Sequence, residues 1–183
     1  MKRTLFLLAC STLFFISAGM SQDLRSPAEG KSLVYFVRSS GTGALINFKY
    51  FDGENYLGKF KSRNYFIYEC DPGEHVFWVT SENRDFIEAN ILPGKVYIIE
   101  VRPTPGALKA AVRLFPIAGD DAKSKKRLGK LISKKEPIAL HEVDFSSEAE
   151  KLEYYIQNGM KKYLSDKEKG KKITLLPAEF YHN

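Results

Sequence analysis

Three Pro-Gly corners, Pro72-Gly73, Pro93-Gly94 and Pro105-Gly106, cut the middle of this chain into short apolar segments. Proline presets the backbone at the second position of a turn, and glycine supplies the positive φ that a type II turn needs at the third. Between and around the corners, His75 to Thr80, Phe86 to Asn90, Val96 to Arg102 and Lys109 to Phe115 read as strands. Upstream, Leu33 to Arg38 is continuously apolar up to its arginine. Ala44 to Tyr50 alternates, with Ala44, Ile46, Phe48 and Tyr50 on one face and Asn47 and Lys49 on the other. That period of two marks a half-buried strand. Tyr56 to Phe60 and Tyr65 to Cys70 complete the series. Ten Tyr and thirteen Phe fit the same picture, because aromatic side chains suit pleated, half-buried surfaces. Strands recurring at a spacing of roughly ten residues without intervening helices argue for a mainly β fold, an antiparallel β-sandwich or barrel. We expect a sandwich of about 7–8 strands over residues 31–117.

The pattern changes after Pro116. Gly119-Asp120-Asp121 can start a helix, Leu128, Leu131 and Ile132 form a narrow apolar stripe, and Glu136-Pro137 stops it. Ser147 and Glu150 match a capping box for a second helix, whose apolar face is Ala149, Leu152, Ile156, Met160 and Tyr163 and which ends near Ser165–Gly170. Ile138 to Val143 reads as a short strand or extended link, and Ile173 to Leu176 is apolar enough to dock. Residues 118–183 therefore form an α-helical C-terminal extension.

The start of the chain has another character. Lys2 and Arg3 precede an apolar run from Leu5 to Ile16, followed by the small residues Ser17, Ala18, Gly19 and Ser21. This is the layout of a secretory signal peptide over residues 1–21, with 22–30 a polar linker. The run is about a dozen residues, short of the roughly 20 that a spanning helix needs. We expect an exported protein, periplasmic or cell-envelope associated. Leu7-Leu8-Ala9-Cys10 resembles a lipoprotein box, but the apolar stretch before Cys10 is too short and continues beyond it, which argues against lipid anchoring there. Without Lys2 and Arg3, 26 bases face 22 acids, a net charge of +4.

Catalytic constellations are hard to find. After signal cleavage Cys70 is the one cysteine, so no internal disulfide can form. His75, His141 and His182 are the histidines, and none has a neighbour at metal-ligand spacing; we expect no metal and no cofactor. Cys70 and His75 could form a nucleophile and base dyad. The plainer reading has Cys70 ending a strand pointing inward, while His75 caps the next strand at the Pro-Gly turn. Ser39-Ser40-Gly41-Thr42-Gly43 lacks the Lys-Ser/Thr ending of a phosphate-binding loop and reads as a hairpin loop. No catalytic residues are assigned, and we do not expect an enzyme.

Two features could bind something. Phe77 and Trp78 point to opposite faces of a strand, so one leaves the main core unless a helix covers it. Exposed aromatics, with Tyr35, Tyr65 and Trp78 as candidates, could stack on a glycan or grip a peptide; alternatively, the C-terminal helices cover that face. The second feature is the segment Lys123 to Lys135, with Lys123, Lys125, Lys126, Arg127 and Lys130 at its centre and no acid. Such a helix could meet an anionic membrane surface, or it could be a solvated face. Nucleic acid does not fit an exported protein.

Residues 32–116 also resemble the DUF2846 family of exported bacterial proteins and lipoproteins of unknown function. The resemblance rests on Leu33-Val34-Tyr35-Phe36-Val37-Arg38, on Tyr56-Leu57-Gly58-Lys59-Phe60, on Asn64-Tyr65-Phe66 leading to Asp71-Pro72-Gly73-Glu74-His75, and on Leu92-Pro93-Gly94-Lys95-Val96-Tyr97. It implies a β-sandwich and carries no catalytic residues. Taken together, these features lead us to expect a non-catalytic binding or scaffolding module of the cell envelope, acting on an envelope protein or glycan. A carbohydrate-binding module and a thiol enzyme using Cys70 and His75 are the alternatives.

Overall fold

The computed structural model describes residues 24–108, 110–139 and 149–183. The expected signal segment, Cys10, Lys109, His141 and the Ser147 half of the capping box lie outside the described residues. The fold is mainly β. Its strands are β1 (Ser32–Arg38), β2 (Phe48–Asp52), β3 (Asn55–Phe60), β4 (Asn64–Cys70), β5 (Gly73–Thr80), β6 (Arg84–Ile91), β7 (Val96–Pro105), β8 (Ala110–Ile117) and β9 (Thr174–Leu176). Two helices, α1 (Ala122–Ile132) and α2 (Ala149–Glu168), separate β8 from β9.

The strands form two facing sheets, β4-β1-β7-β8 and β3-β2-β5-β6-β9. The sandwich is as expected, but it is not wholly antiparallel. β1 runs parallel to β7, and β6 runs parallel to β9. The reason is order along the chain: β1 and β9 pair with strands more than fifty positions away, where no hairpin constrains direction. Ala44–Asn47 does not join β2 as expected. Arg38, buried against the Phe48 ring, donates to the carbonyls of Thr42, Gly43 and Ile46 and holds those residues as a loop. Gly94 takes φ +70°, as its corner requires, whereas Gly106 does not take a positive φ.

Each helix covers the outer face of one sheet, giving a helix–sheet–sheet–helix stack with three apolar interiors. Val34, Phe36, Tyr50, Phe77, Val79, Tyr97 and Ile99 fill the space between the sheets. Leu33, Tyr35, Val37 and Ile98, on the reverse face of β1 and β7, pack under Leu128 and Leu131 of α1. β1 is continuously apolar because both of its faces are buried. On the far side, Phe51, Trp78 and Phe86 pack under Leu152, Ile156, Met160 and Tyr163 of α2, the stripe read from the sequence. The C-terminal extension is thus built into the sandwich: β9 extends the second sheet, and Leu176 belongs to the core between the sheets.

Helix α1 starts as expected. Asp121 caps it by accepting from the Ser124 amide at 2.9 Å. Its position on the sheet is fixed by a buried acid. Glu100 on β7 is 1% exposed and binds Arg127 of α1, Arg102 two residues along its own strand, and Ser39. Burial pushes the Glu100 carboxyl up, but the bonds from Arg127, Ser39 and Arg102 outweigh it and hold the group below its ordinary range.

Candidate functional site

The histidine and cysteine singled out in the sequence lie near one end of the sandwich. β2 ends at Asp52, β4 supplies Tyr68 and ends at Cys70, and β5 opens with Gly73-Glu74-His75 after the Pro72 corner. The His75 ring stacks on Phe77, with centroids 5.1 Å apart. Its Nδ1 lies 2.7 Å from Asp52 Oδ2, and its Nε2 lies 2.8 Å from the Asp71 carbonyl. A carbonyl only accepts, and so does a carboxylate, so the protonated ring, which donates from both nitrogens, is the form that satisfies both partners. Tyr68 donates to the same Asp52 oxygen at 3.1 Å. The bond to Asp52 raises the His75 pKa, burial opposes it, and the Asp71 carbonyl adds to the rise. Because β4 belongs to one sheet and β2 and β5 to the other, the Tyr68–Asp52–His75 cluster bolts the two sheets together.

The structure does not join Cys70 to His75 as a dyad. The Cys70 thiol faces the Ser32 carbonyl at 3.8 Å, and burial, with the nearby Asp52 and Asp71 charges, pushes its pKa up to about 12. A nucleophilic thiol needs the opposite environment. Both ring nitrogens of His75 are engaged, with Asp52 and with the Asp71 carbonyl, and the thiol's partner is the Ser32 carbonyl. Cys70 therefore ends its strand pointing inward and His75 caps the corner, the plainer of the two sequence readings.

Beside this cluster lies an open groove of about 680 Å³, floored by β5 and β6 and flanked by α2 and β9. Two of its charged groups, Glu88 and Lys167, are paired with each other. Tyr163 donates to Glu88 at 2.6 Å, and Lys167 meets Glu88 at 2.7 Å. No group of three or more His, Cys, Asp or Glu residues able to hold a metal occurs among the described residues.

The three aromatic binding candidates are corrected by their burial. Tyr35 is 1% exposed, Tyr65 4% and Trp78 0%. Tyr35 and Tyr65 stack on each other beneath α1, where the Tyr65 hydroxyl donates to the Lys135 carbonyl at 3.0 Å. Trp78 stacks on Phe51 at 3.8 Å and donates to the Gly53 carbonyl. Gly159 of α2 presses against it: a Cβ there would lie 2.6 Å from Trp78 Cζ2. Both sheets carry helices on their outer faces, so these rings present no face to a ligand.

The basic helix divides. Lys123, Lys125, Lys126 and Lys130 stand exposed, with Lys134 and Lys135 beyond the helix end. Arg127 does not belong to that surface as expected; it turns inward to Glu100. Nothing local in the sequence marks this partner, which lies 27 residues earlier on β7. The rim of the groove was likewise missed, because Glu88, Tyr163 and Lys167 come from elements far apart in the chain. No helix among the described residues is long and apolar enough to cross a membrane. No protein-family model matches the sequence, and no curated protein matches it significantly.

Proposed function

We propose that this chain is a non-catalytic binding or scaffolding module of the cell envelope, exported by its N-terminal segment, and that it docks through the lysine face of α1 onto an anionic membrane surface. One contrast carries the reading. The side chains with chemical potential, Cys70, His75 and Asp52, are spent on internal bonds, while Lys123, Lys125, Lys126 and Lys130 are held outward on a helix clamped from below by Glu100 and Arg127. A cationic face held rigidly loses little freedom when it meets a charged surface, and each lysine near an anionic leaflet contributes about 1 kcal/mol. The resemblance of its motif order to the DUF2846 family is in keeping with the envelope setting. Glycan binding lacks such support, since the candidate rings are internal.

The test is cosedimentation of the mature chain, from Gln22 onward, with vesicles containing phosphatidylglycerol, across a salt series. Binding should weaken as salt rises, and Lys123→Glu, Lys125→Glu, Lys126→Glu and Lys130→Glu combined should lower it by at least about tenfold. Salt-independent binding, unchanged by the four substitutions, would remove the proposal.

A further inference from the structure

At the end of the sandwich opposite His75, four loops meet: 39–47 between β1 and β2, 61–63 between β3 and β4, 81–83 between β5 and β6, and the tip following β7. Leu45 and Leu108, on two of them, are 86% and 92% exposed, the highest values among the large hydrophobic residues described as exposed. The two loops adjoin. A Cβ at Gly43, two residues before Leu45, would sit 3.3 Å from the Ala110 Cβ, two residues after Leu108. Both are braced from beneath. The Ser62 amide donates to the Ala44 carbonyl at 2.8 Å, and Glu82 accepts from the Leu108 amide at 2.7 Å. Pro105, Gly106 and Ala107 are exposed beside Leu108, so the tip is apolar over its described residues 105–108.

The same end is cationic. Lys61 and Arg63 are exposed on the 61–63 loop. Lys135, just past the end of α1, donates to the Arg63 carbonyl at 2.6 Å, which brings Lys134 and Lys135 to this loop cluster. The exposed acids here are Glu82, engaged with the Leu108 amide, and Glu136, which faces Arg25 at 4.0 Å. Apolar tips rimmed by basic side chains complement one environment well. Acyl chains accept the leucines while lipid phosphates meet the cations.

We infer that Leu45 and Leu108 insert into the headgroup and acyl boundary of an anionic bilayer, with Lys61, Arg63, Lys134 and Lys135 on the phosphates around them. This rests on the reading of α1 as the face that meets an anionic membrane and adds the apolar anchor to it. Charge brings the module to the surface; the two leucines set which end goes in. The two parts fail separately.

The test uses the mature chain, from Gln22 onward, whose own cysteine, Cys70, is buried, with a polarity-sensitive dye on Leu45→Cys, Leu108→Cys or, as a control, Leu164→Cys. Leu164 is 55% exposed on α2, on the other side of the molecule. Mixed with phosphatidylcholine vesicles containing phosphatidylglycerol, the dyes at 45 and 108 should shift to the blue and the dye at 164 should not. Leu45→Ser with Leu108→Ser should weaken binding by about tenfold, and each cation reversed among Arg63 and Lys134 by roughly fivefold. All four positions are exposed, so these variants should keep the fold. Dyes at 45 and 108 that stay in water on vesicle-bound protein overturn the insertion, while the charge-reversal result on α1 decides the parent reading independently. Absence of any vesicle binding overturns both.

Discussion

The two helices do the same work by different means. α1 and α2 each cover the outer face of a sheet, but α1 is held by an ionic clamp on a buried acid and α2 chiefly by aromatic contact. Under α1, Leu128 and Leu131 give a narrow apolar seam, and Glu100 reaches through it to Arg127. Under α2, Trp78 stacks between Phe51 and the backbone at Gly159, with Phe86 and Tyr163 closing the side. A narrow stripe on a very basic helix buries too little to fix its position, so a specific charge contact does so. The α2 helix, with its wide apolar face, also has a charge contact, Lys167 with Glu88 of β6, but it lies at the exposed edge of the interface rather than beneath it. The difference also sets what remains outside: four lysines of α1 stand exposed while its one arginine is diverted inward.

The sharpest way to break this comparison is Trp78→Ala. The change removes the largest fully buried side chain and leaves a cavity beneath α2, which should cost about 3–5 kcal/mol. Urea unfolding would measure the loss, and hydrogen exchange should localise it to α2 and β9 rather than α1. Equal exchange in both helices would mean that the two layers are not independent. Arg127→Ala should cost less, about 2 kcal/mol, because Glu100 keeps Arg102 and Ser39 and because Arg127 is itself partly exposed. Glu100 is held below its ordinary range, so its contribution is present above the unfolded glutamate value of about 4.3 and is lost as pH falls through the lower folded value. The gap between Arg127→Ala and wild type should therefore narrow in acid, which unfolding midpoints between pH 3 and 7 would reveal.

The smallest effects come from two histidines near the end of the sandwich opposite the loop tips, and they have opposite signs. His75 has a raised pKa, from its bond to Asp52 first, so its contribution is full below the unfolded value of about 6.5 and fades as pH rises through the folded value. Burial lowers the pKa of His182, against a hydrogen bond to the Ile117 carbonyl, so its contribution is present above about 6.5 and is lost as pH falls. In unfolding midpoints from pH 5 to 9, His75→Gln should close the gap to wild type towards alkaline pH. His182→Gln should close it towards acid. Two parallel profiles would disprove both assignments.

How much of this the sequence carried depended on how far apart the interacting residues lie. The stripe Leu152, Ile156, Met160 and Tyr163 announced a helix face seeking a partner, and Trp78, opposite Phe77 on its strand, announced a ring needing cover; the two meet. Eight strands and the Pro93-Gly94 corner were legible because turn chemistry and alternation are local, although β2 starts later than its alternation suggested and Gly106 lacks the φ of a type II turn. The parallel pairings of β1 with β7 and of β6 with β9 were not, since nothing near Ser32 or Thr174 points to those partners. Tyr35 and Tyr65 were read as candidate ligand-stacking rings because their burial depends on where α1 lands. Arg127 looked like its lysine neighbours until Glu100 was placed beneath it. Gly159 in the middle of a helix was the one overlooked local signal: a residue that weakens a helix is kept there by close approach of another ring.

β9 leaves a final consequence. Along Ile87–Ala89, the amide edge of β6 is guarded by a seat of three residues, Thr174–Leu176. A strand so short is held by what flanks it more than by its own ladder. Freeing it uncovers a ready template to which a foreign strand, including the same segment of another copy, can add. The rigidity of the outer layers thus bears on whether molecules remain separate at high concentration, as well as on how firmly each one is folded.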